Sequence, residues 1–274
     1  MGLDSRSLSA KVAISELHEL EGLRELERLF AAVWERPDEP PIGADVMRAL
    51  AHSGNYVAGA REGSRLVGGL VGWLGGSPPH HLHMHSHILG VVADVQVRGL
   101  GFELKQHQRR WCLDRDIKVM EWTFDPLVRR NAHFNLTKLG AEAREYLVNF
   151  YGQMIDGLNA GEESDRLLIR WHLDSEQVEA AAGGGAPELA VEQLVREGAT
   201  AVLSVGPSGE PVAGSASSEV LLCQVPEDIV SVRRADPGLA HAWRVESRRV
   251  LSAALRSGYR MSGATRTGWY VLKK

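Results

Sequence analysis

Five histidines crowd one short stretch: His80, His81, His83, His85 and His87. An imidazole titrates near pH 6.5, so it can take the proton of an attacking amine near neutrality, and it is also the commonest metal ligand. Along a strand 81, 83, 85 and 87 would share one face with about 7 Å between successive members, which is loose for one ion. With no cysteine or carboxylate neighbour to complete a set, no metal is expected. The pattern reads as general bases, His85 and His87 foremost, or as a series of satisfied or exposed side chains. Glu121 offers a carboxylate base of its own, or a buried partner for an arginine. Further on, Val91-Val92-Ala93-Asp94-Val95-Gln96-Val97-Arg98-Gly99-Leu100-Gly101-Phe102 ends on two glycines. These permit a tight turn that aims successive backbone N–H groups from a helix N-terminus, where donors and dipole suit a phosphate. Arg98 would add a charge-assisted contact. Lys105, one turn on, reads more simply as a solvated surface lysine. The third glycine of the dinucleotide fingerprint and the Gly-Lys-Ser/Thr of a Walker loop are both missing.

The surrounding pattern must hold these groups in place. Val12 to Ile14 reads as a strand start, and Leu17, Leu20, Leu23, Leu26, Leu29 and Phe30 recur at helical spacing up to Val33 before the prolines 37 to 41. A short helix fits Gly43 to His52, and Tyr56 to Arg61 and Arg65 to Leu74 form a hairpin around Glu62-Gly63-Ser64. The extended stretch Leu82 to Val95 runs into the glycine turn, then a helix reaches about Arg115. Lys118 to Phe124 is a strand, and Asp125-Pro126 suits a helix start that runs to Leu139 and stops at Gly140. Strands fit Glu145 to Tyr151 and Arg166 to Leu173, with a polar loop, 156–165, between them. The Ala- and Gly-rich stretch 175–187 reads as a flexible linker. Beyond it come a helix near Glu188 to Glu197, strands at Ala201 to Val205 and Val220 to Val225, a long helix Leu239 to Arg256 and a hairpin Tyr259 to Leu272. The sequence shows no internal repeat.

Gln96-x-x-Gly99-x-Gly101, after a strand and before a helix, resembles motif A of the Gcn5-related N-acetyltransferases (GNAT), and the order of elements from Val12 to Leu173 resembles that fold throughout. Glu121-Trp122-Thr123-Phe124-Asp125-Pro126-Leu127, Leu139-Gly140-Ala141, Tyr151-Gly152 and Ile169-Arg170-Trp171 look like a branch of predicted acetyltransferases with a C-terminal extension. The tail words Val225-Pro226, Trp243-Arg244 and Gly258-Tyr259 look like that extension. The resemblance implies an α/β fold, a mixed splayed sheet flanked by helices with a small α+β extension. It divides the chain into an acyltransferase domain, 1–174, the linker 175–187, and an extension, 188–274. It implies transfer of an acetyl or succinyl group from acetyl-CoA or another acyl-CoA to a small-molecule amine by direct attack, with no metal. Some relatives of the branch are associated with N-succinylamino acid racemase pathways, so an amino acid is one candidate acceptor. Val91 and Val92 would line the pantetheine arm, and Val97, Arg98, Gly99, Leu100, Gly101 and Phe102 would surround the pyrophosphate. Asn131 and Asn135 would bind pantetheine amides or the acceptor, or are simply polar residues of the helix surface. Counting back from Gln96 to the position of the glutamate base in related histone acetyltransferases gives His85, with His87 on the same face. Leu136 stands where many members carry a tyrosine that protonates the departing thiolate, which leaves Tyr146, Tyr151, water, or no acid. The alternative class is a non-catalytic acyl-CoA-binding or regulatory module.

Composition bounds these expectations. The 274 residues are 44% hydrophobic and 24% charged, ordinary for a globular chain of one or two domains, and the formal charge is −4. That balance disfavours a nucleic-acid partner. Two distant cysteines, Cys112 and Cys223, argue for a reducing compartment and hence the cytoplasm. No apolar run approaches membrane length, so no membrane partner is expected. Six of the 31 basic residues are lysine and the rest arginine, which supplies many forks for phosphate or carboxylate. Trp243, Arg244, Arg248 and Arg249 fall on one helix with Val245, Leu251 and Leu255. That helix is expected to cover a sheet face of the first domain or of a second subunit in a homodimer, or to offer arginines to an acidic acceptor or a succinyl carboxylate.

Overall fold

The computed structural model describes residues 12–76, 82–95, 99–153, 163–185, 189–215 and 218–274. His80, His81, Gln96, Val97, Arg98 and most of the polar loop 156–165 lie outside the described residues. The chain forms two compact units, one of residues 1–74 and 86–112, the other of residues 75–85 and 113–274. These limits do not follow the expected division at 174 and 188. Residues 113–174 pack with the C-terminal residues because strands and buried ion pairs join them.

In the first unit β1 (Val12–Glu16), β2 (Tyr56–Glu62) and β3 (Arg65–Gly75) form an antiparallel meander, and β3 neighbours β4 (His83–Val91). Helix α1 (Leu20–Val33) buries Leu23, Leu26, Leu29 and Phe30, and α2 (Ala44–His52) buries Met47 and Ala51. These pack in one core with Val57, Val71 and Ile88. The close approach needs glycine: a Cβ on Gly69 would lie 2.2 Å from Leu26, and one on Gly90 would lie 3.0 Å from the Phe30 ring. Helix α3 (Leu100–Leu113) completes the unit.

The second unit begins with the first residues of β4. Its strand order is β4, β5 (Val119–Phe124), β7 (Arg166–His172), β6 (Glu142–Leu147), β11 (Arg260–Ala264), β12 (Trp269–Lys273), β10 (Val220–Gln224), β8 (Thr200–Val205) and β9 (Pro211–Ala213). The β4–β5 and β8–β10 pairs are parallel, and the other neighbours are antiparallel. The helices are α4 (Arg129–Ala132), α5 (Glu176–Ala182), α6 (Val191–Arg196), α7 (Ile229–Ala235) and α8 (Pro237–Arg256).

Four expectations change. The helix expected from Asp125-Pro126 starts at Arg129 and continues as a π-helical turn, His133–Lys138. The strand expected at 145–151 is Glu142–Leu147. Much of the expected linker is α5, since its alanines are strong helix formers and Val178 and Ala181 are buried. The short elements β9 and α7 went unread because neither is long enough to show a period.

Asp125 does not cap a helix; it is the buried hub of the second unit. Its carboxylate accepts two hydrogen bonds from Arg244 of α8, at 2.8 and 2.9 Å, and one from Arg233 of α7 at 2.6 Å. It also accepts one from the Leu127 amide at 2.9 Å. Burial alone would raise its pKa, but the two guanidinium groups hold it well below the usual carboxylate range. Asp236 caps α8 through the Leu239 amide, with Pro237 in the first turn, so the helix that carries Arg244 begins at a fixed point. Asp125→Ala should lower the free energy of urea unfolding by about 3–5 kcal/mol, because it strips both buried arginines of a shared carboxylate. A folded pKa below the unfolded one contributes stability that is present above about pH 4 and is lost as the pH falls. The variant should therefore show a flatter acid limb, and an unchanged limb would show the carboxylate to be idle.

Candidate active site

In the first unit β4 ends at Val91 and α3 opens at Leu100, with Gly99 at φ 78°. A Cβ on Gly99 would touch nothing, so this glycine serves the left-handed backbone conformation and not a steric need. The Phe102 and Glu103 amides turn back to the Gly99 carbonyl at 2.9 and 3.2 Å, so the N–H groups just before them are the ones a helix start leaves for an external acceptor. A Cβ on Gly101 would have Leu89 as its nearest neighbour at 3.7 Å. Among the described residues nothing fills the space at Gly99, which fits a phosphate-bearing ligand. Val91 and Leu100 are buried, Val92 and Phe102 half-buried, and the Val92 amide donates to the Val67 carbonyl at 3.0 Å, which ties the end of β4 to β3.

His87 also belongs to this unit. One side of its ring reaches solvent, yet the ring lies 4.5 Å from that of Trp73 and the surrounding protein lowers its pKa by desolvation. Lys105 departs from expectation: it is 3% exposed and its Nζ donates to Ser86 Oγ at 2.8 Å, while Ser86 donates to Gln108 at 2.8 Å. Burial pushes its pKa down to about 7. Lys105 sits among Leu104, Gln108, Trp111 and Cys112 on the inward stripe of α3, and that spacing was the signal for its burial.

In the second unit one half-exposed sheet face carries the ionisable groups. His85 is in register with Glu121 across the parallel β4–β5 pair. Glu121 accepts from Arg170 Nε at 2.7 Å and Nη2 at 2.6 Å, and His83 Nε2 stands 3.5 Å from its other oxygen. Thr123, two residues along and so on the same face, lies 3.3 Å from the Tyr151 hydroxyl. Arg170 is the arginine partner that the alternative reading of Glu121 calls for, and His83 joins the group although only His85 and His87 of the five histidines are foremost as bases. Among the described residues no cluster of three or more histidine, cysteine or carboxylate side chains could hold a metal ion.

Tyr146 lies elsewhere. It pairs in register with Leu167, which pairs with Phe124, so it shares their face and not that of Glu121. Its hydroxyl donates to Asp165 at 2.7 Å, and burial together with that carboxylate raises its pKa. A phenol committed in this way is a poor proton source. Asn131 is half-buried on α4; Asn135 is buried and its Oδ1 accepts from the Trp122 indole at 3.3 Å; Leu136 is buried. Arg244 is spent on Asp125, and Arg248 donates to Asp165 at 2.9 and 2.8 Å and to Glu163. These two arginines of α8 are thus committed to the chain's own carboxylates and not to the acidic ligand that is one of the two readings of this helix.

Residues 20–141 match the model of the acetyltransferase (GNAT) family. This segment belongs to the GNAT family. It spans α1 to the start of β6, and so contains the glycine turn, His85, His87 and Glu121 together. The ribosomal-protein-S18-alanine N-acetyltransferase of Escherichia coli is a similar GNAT structure, 13% identical, covering 60% of this chain and 96% of its own at a TM-score of 0.48. Arabidopsis thaliana Naa50 with a bisubstrate analogue is 18% identical over 58% of this chain and 97% of its own, TM-score 0.46. An aminoglycoside 6'-acetyltransferase type Ii is 17% identical over 60% and 99%, TM-score 0.46. No curated protein matches the sequence. Among the described residues no helix is long and apolar enough to cross a membrane.

The buried lysine of the GNAT segment has a measurable consequence. Its folded pKa lies below the unfolded one, so the unfolded chain binds more protons between about pH 7 and 10 and stability rises with pH across that window. Lys105→Met should remove the rise between about pH 7 and 9 and gain about 1–3 kcal/mol at pH 7 in urea unfolding. An unchanged slope would show the ammonium to be solvated.

Proposed function

We propose that the chain is an acyl-CoA-dependent N-acyltransferase that moves an acetyl or succinyl group to the amine of a small molecule, an amino acid among the candidates. With both cysteines free and buried, it would work in a reducing compartment, the cytoplasm. The observation that carries the reading is the open glycine turn at Gly99, at the start of a 14-residue helix within the GNAT segment. The amides around Gly99 to Phe102 would hold the pyrophosphate, with Val91 and Val92 along the pantetheine arm. The coenzyme, when bound, supplies a thioester whose C–S bond breaks as the amine nitrogen forms the new C–N bond.

The chain's own residues would manage the proton and the charge. The lone pairs of Glu121 facing Arg170 are engaged, so Glu121 is better placed to stabilise a neighbouring cation than to accept the proton. His85, in register beside it, would accept the ammonium proton and become an imidazolium next to a carboxylate. His87 is the second acceptor on the same strand, and its lowered pKa would keep it neutral at pH 7. The Tyr151 hydroxyl beside Thr123 is the phenol on the face of Glu121.

The test is thiol release from acetyl-CoA or succinyl-CoA over a panel of amino acids and amines. Release should depend on one amine class, and Gly101→Trp should abolish it by filling the turn. His85→Gln should lower kcat by roughly 10²–10⁴-fold with coenzyme affinity kept. If His85→Gln and His87→Gln both leave rate and pH profile unchanged, the base assignment fails. Leu136, buried and without a hydroxyl, favours the second reading of a non-catalytic acyl-CoA-binding module; tight coenzyme binding with no turnover over the panel would establish it.

A further inference from the structure

The second unit contains one four-strand arrangement twice. In the first run β4 is parallel to β5, β5 antiparallel to β7, and β7 antiparallel to β6. In the second β8 is parallel to β10, β10 antiparallel to β12, and β12 antiparallel to β11. The chain order of these four strands agrees as well: the two parallel strands come first, then a helical segment, then the two remaining strands, with α3 between the parallel strands in the first run and β9 between them in the second.

The details agree residue by residue. β5 ends at Phe124, with Pro126 two residues on and a helix from Arg129; β10 ends at Gln224, with Pro226 two residues on and a helix from Ile229. The helical segments end before Gly140 at φ 70° and Gly258 at φ 88°, and the next strand starts two residues later, at Glu142 and at Arg260. Each of those strands then carries an irregularity one residue after the third position past its glycine, between Ala143 and Glu145 and between Met261 and Gly263.

The joint between the copies is the decisive feature. β6 pairs antiparallel with β11, and the partners in register are Ala143 and Met261, the two positions that the repeat makes equivalent. Equivalent residues meet each other only across a two-fold axis, the geometry of a self-complementary dimer. Contacts cross the joint in both directions. Thr137, in the turn before Gly140, exchanges hydrogen bonds with Ala264 of β11 at 2.7 and 3.0 Å, and Arg248 of α8 holds the Asp165 that receives Tyr146 of β6.

One part was not repeated. Where the first copy has the glycine turn and α3, the second has β9 folded back on β8, and β8 stays paired with β10 at Leu221, Leu222 and Cys223. We infer that residues 200–273 are a degenerate second copy of the C-terminal half of the acyltransferase fold, serving within the chain as the partner that closes the β6 edge and holding no coenzyme. An open edge strand invites pairing with another chain, and here the occupant is the chain's own β11. The extension is therefore a built-in substitute for a second subunit, and the chain is a monomer with one coenzyme site.

The coenzyme part of this inference rests on the acyltransferase reading, so the test has two arms. Antiparallel partners lie within disulfide reach. Ala143→Cys combined with Met261→Cys, oxidised, should give a link within one chain that runs as a monomer; a link between two chains, or none, would overturn the pairing. Native mass spectrometry of the wild type with coenzyme A should show a 30.0 kDa monomer taking up one coenzyme. A dimer, or two coenzymes per chain, would overturn the inference. Absence of any coenzyme binding would defeat the acyltransferase reading, while the cross-link would still decide the built-in partner.

Discussion

Asp125 sits at the end of β5 with its carboxylate almost wholly removed from water and two arginines closed on it. A carboxylate so placed could not remain charged without them, because desolvation of an isolated ion costs several kcal/mol. The arginines come from α7 and α8, more than a hundred residues away in the chain, so this pair fixes both helices against the turn that leads from β5 to α4. The Tyr270 hydroxyl on the neighbouring Pro126 carbonyl, at 2.6 Å, adds β12 to the same point. Buried ion pairs are poor sources of net stability but strong selectors of arrangement: any other docking of α8 would strand the charges.

The face that bears Glu121 is built on the opposite logic. Its groups are half-exposed, alternate along β4, β5 and β7, and belong to side chains that can change protonation or meet a ligand. Two donors of Arg170 converge on one oxygen of the Glu121 carboxylate and set its direction, and the parallel register brings His85 beside it. Strand alternation thus separates two sets of charges. Inward ones are neutralised for packing, and half-exposed ones stay available for chemistry.

The edge of β6 shows why the extension is more than a cover. Without β11, the side of β6 turned away from β7 would be an open edge. The chain resolves this with a second set of strands that repeats the topology of the first and meets it about a local two-fold axis. What was kept is the packing module; what was lost is the glycine turn and the helix behind it.

The sequence by itself determined the family of residues 20–141, the glycines of the turn, and the position of nearly every long element, because apolar periods, Gly, Pro and a phosphate-loop word are local signals. It determined His85, His87 and Glu121 as candidates by residue type. It did not determine which charges are structural. Lys105 reads as surface from its type and as buried from its place on the α3 stripe, and only packing settles that. Asp125-Pro126 reads as a helix cap until Arg233 and Arg244 arrive from the far end of the chain. Tyr146 and Tyr151 are both acid candidates in the sequence; register puts one behind the sheet on Asp165 and the other beside Thr123. The repeat left few traces in residue identities, Pro126 with Pro226 and Gly140 with Gly258 among them, since strand pairing constrains backbone hydrogen bonds and glycine turns while tolerating Phe124 in one copy and Gln224 in the other. Local chemistry wrote the elements, and long-range pairing of strands and buried charges decided which of their residues are buried and which stay half-exposed.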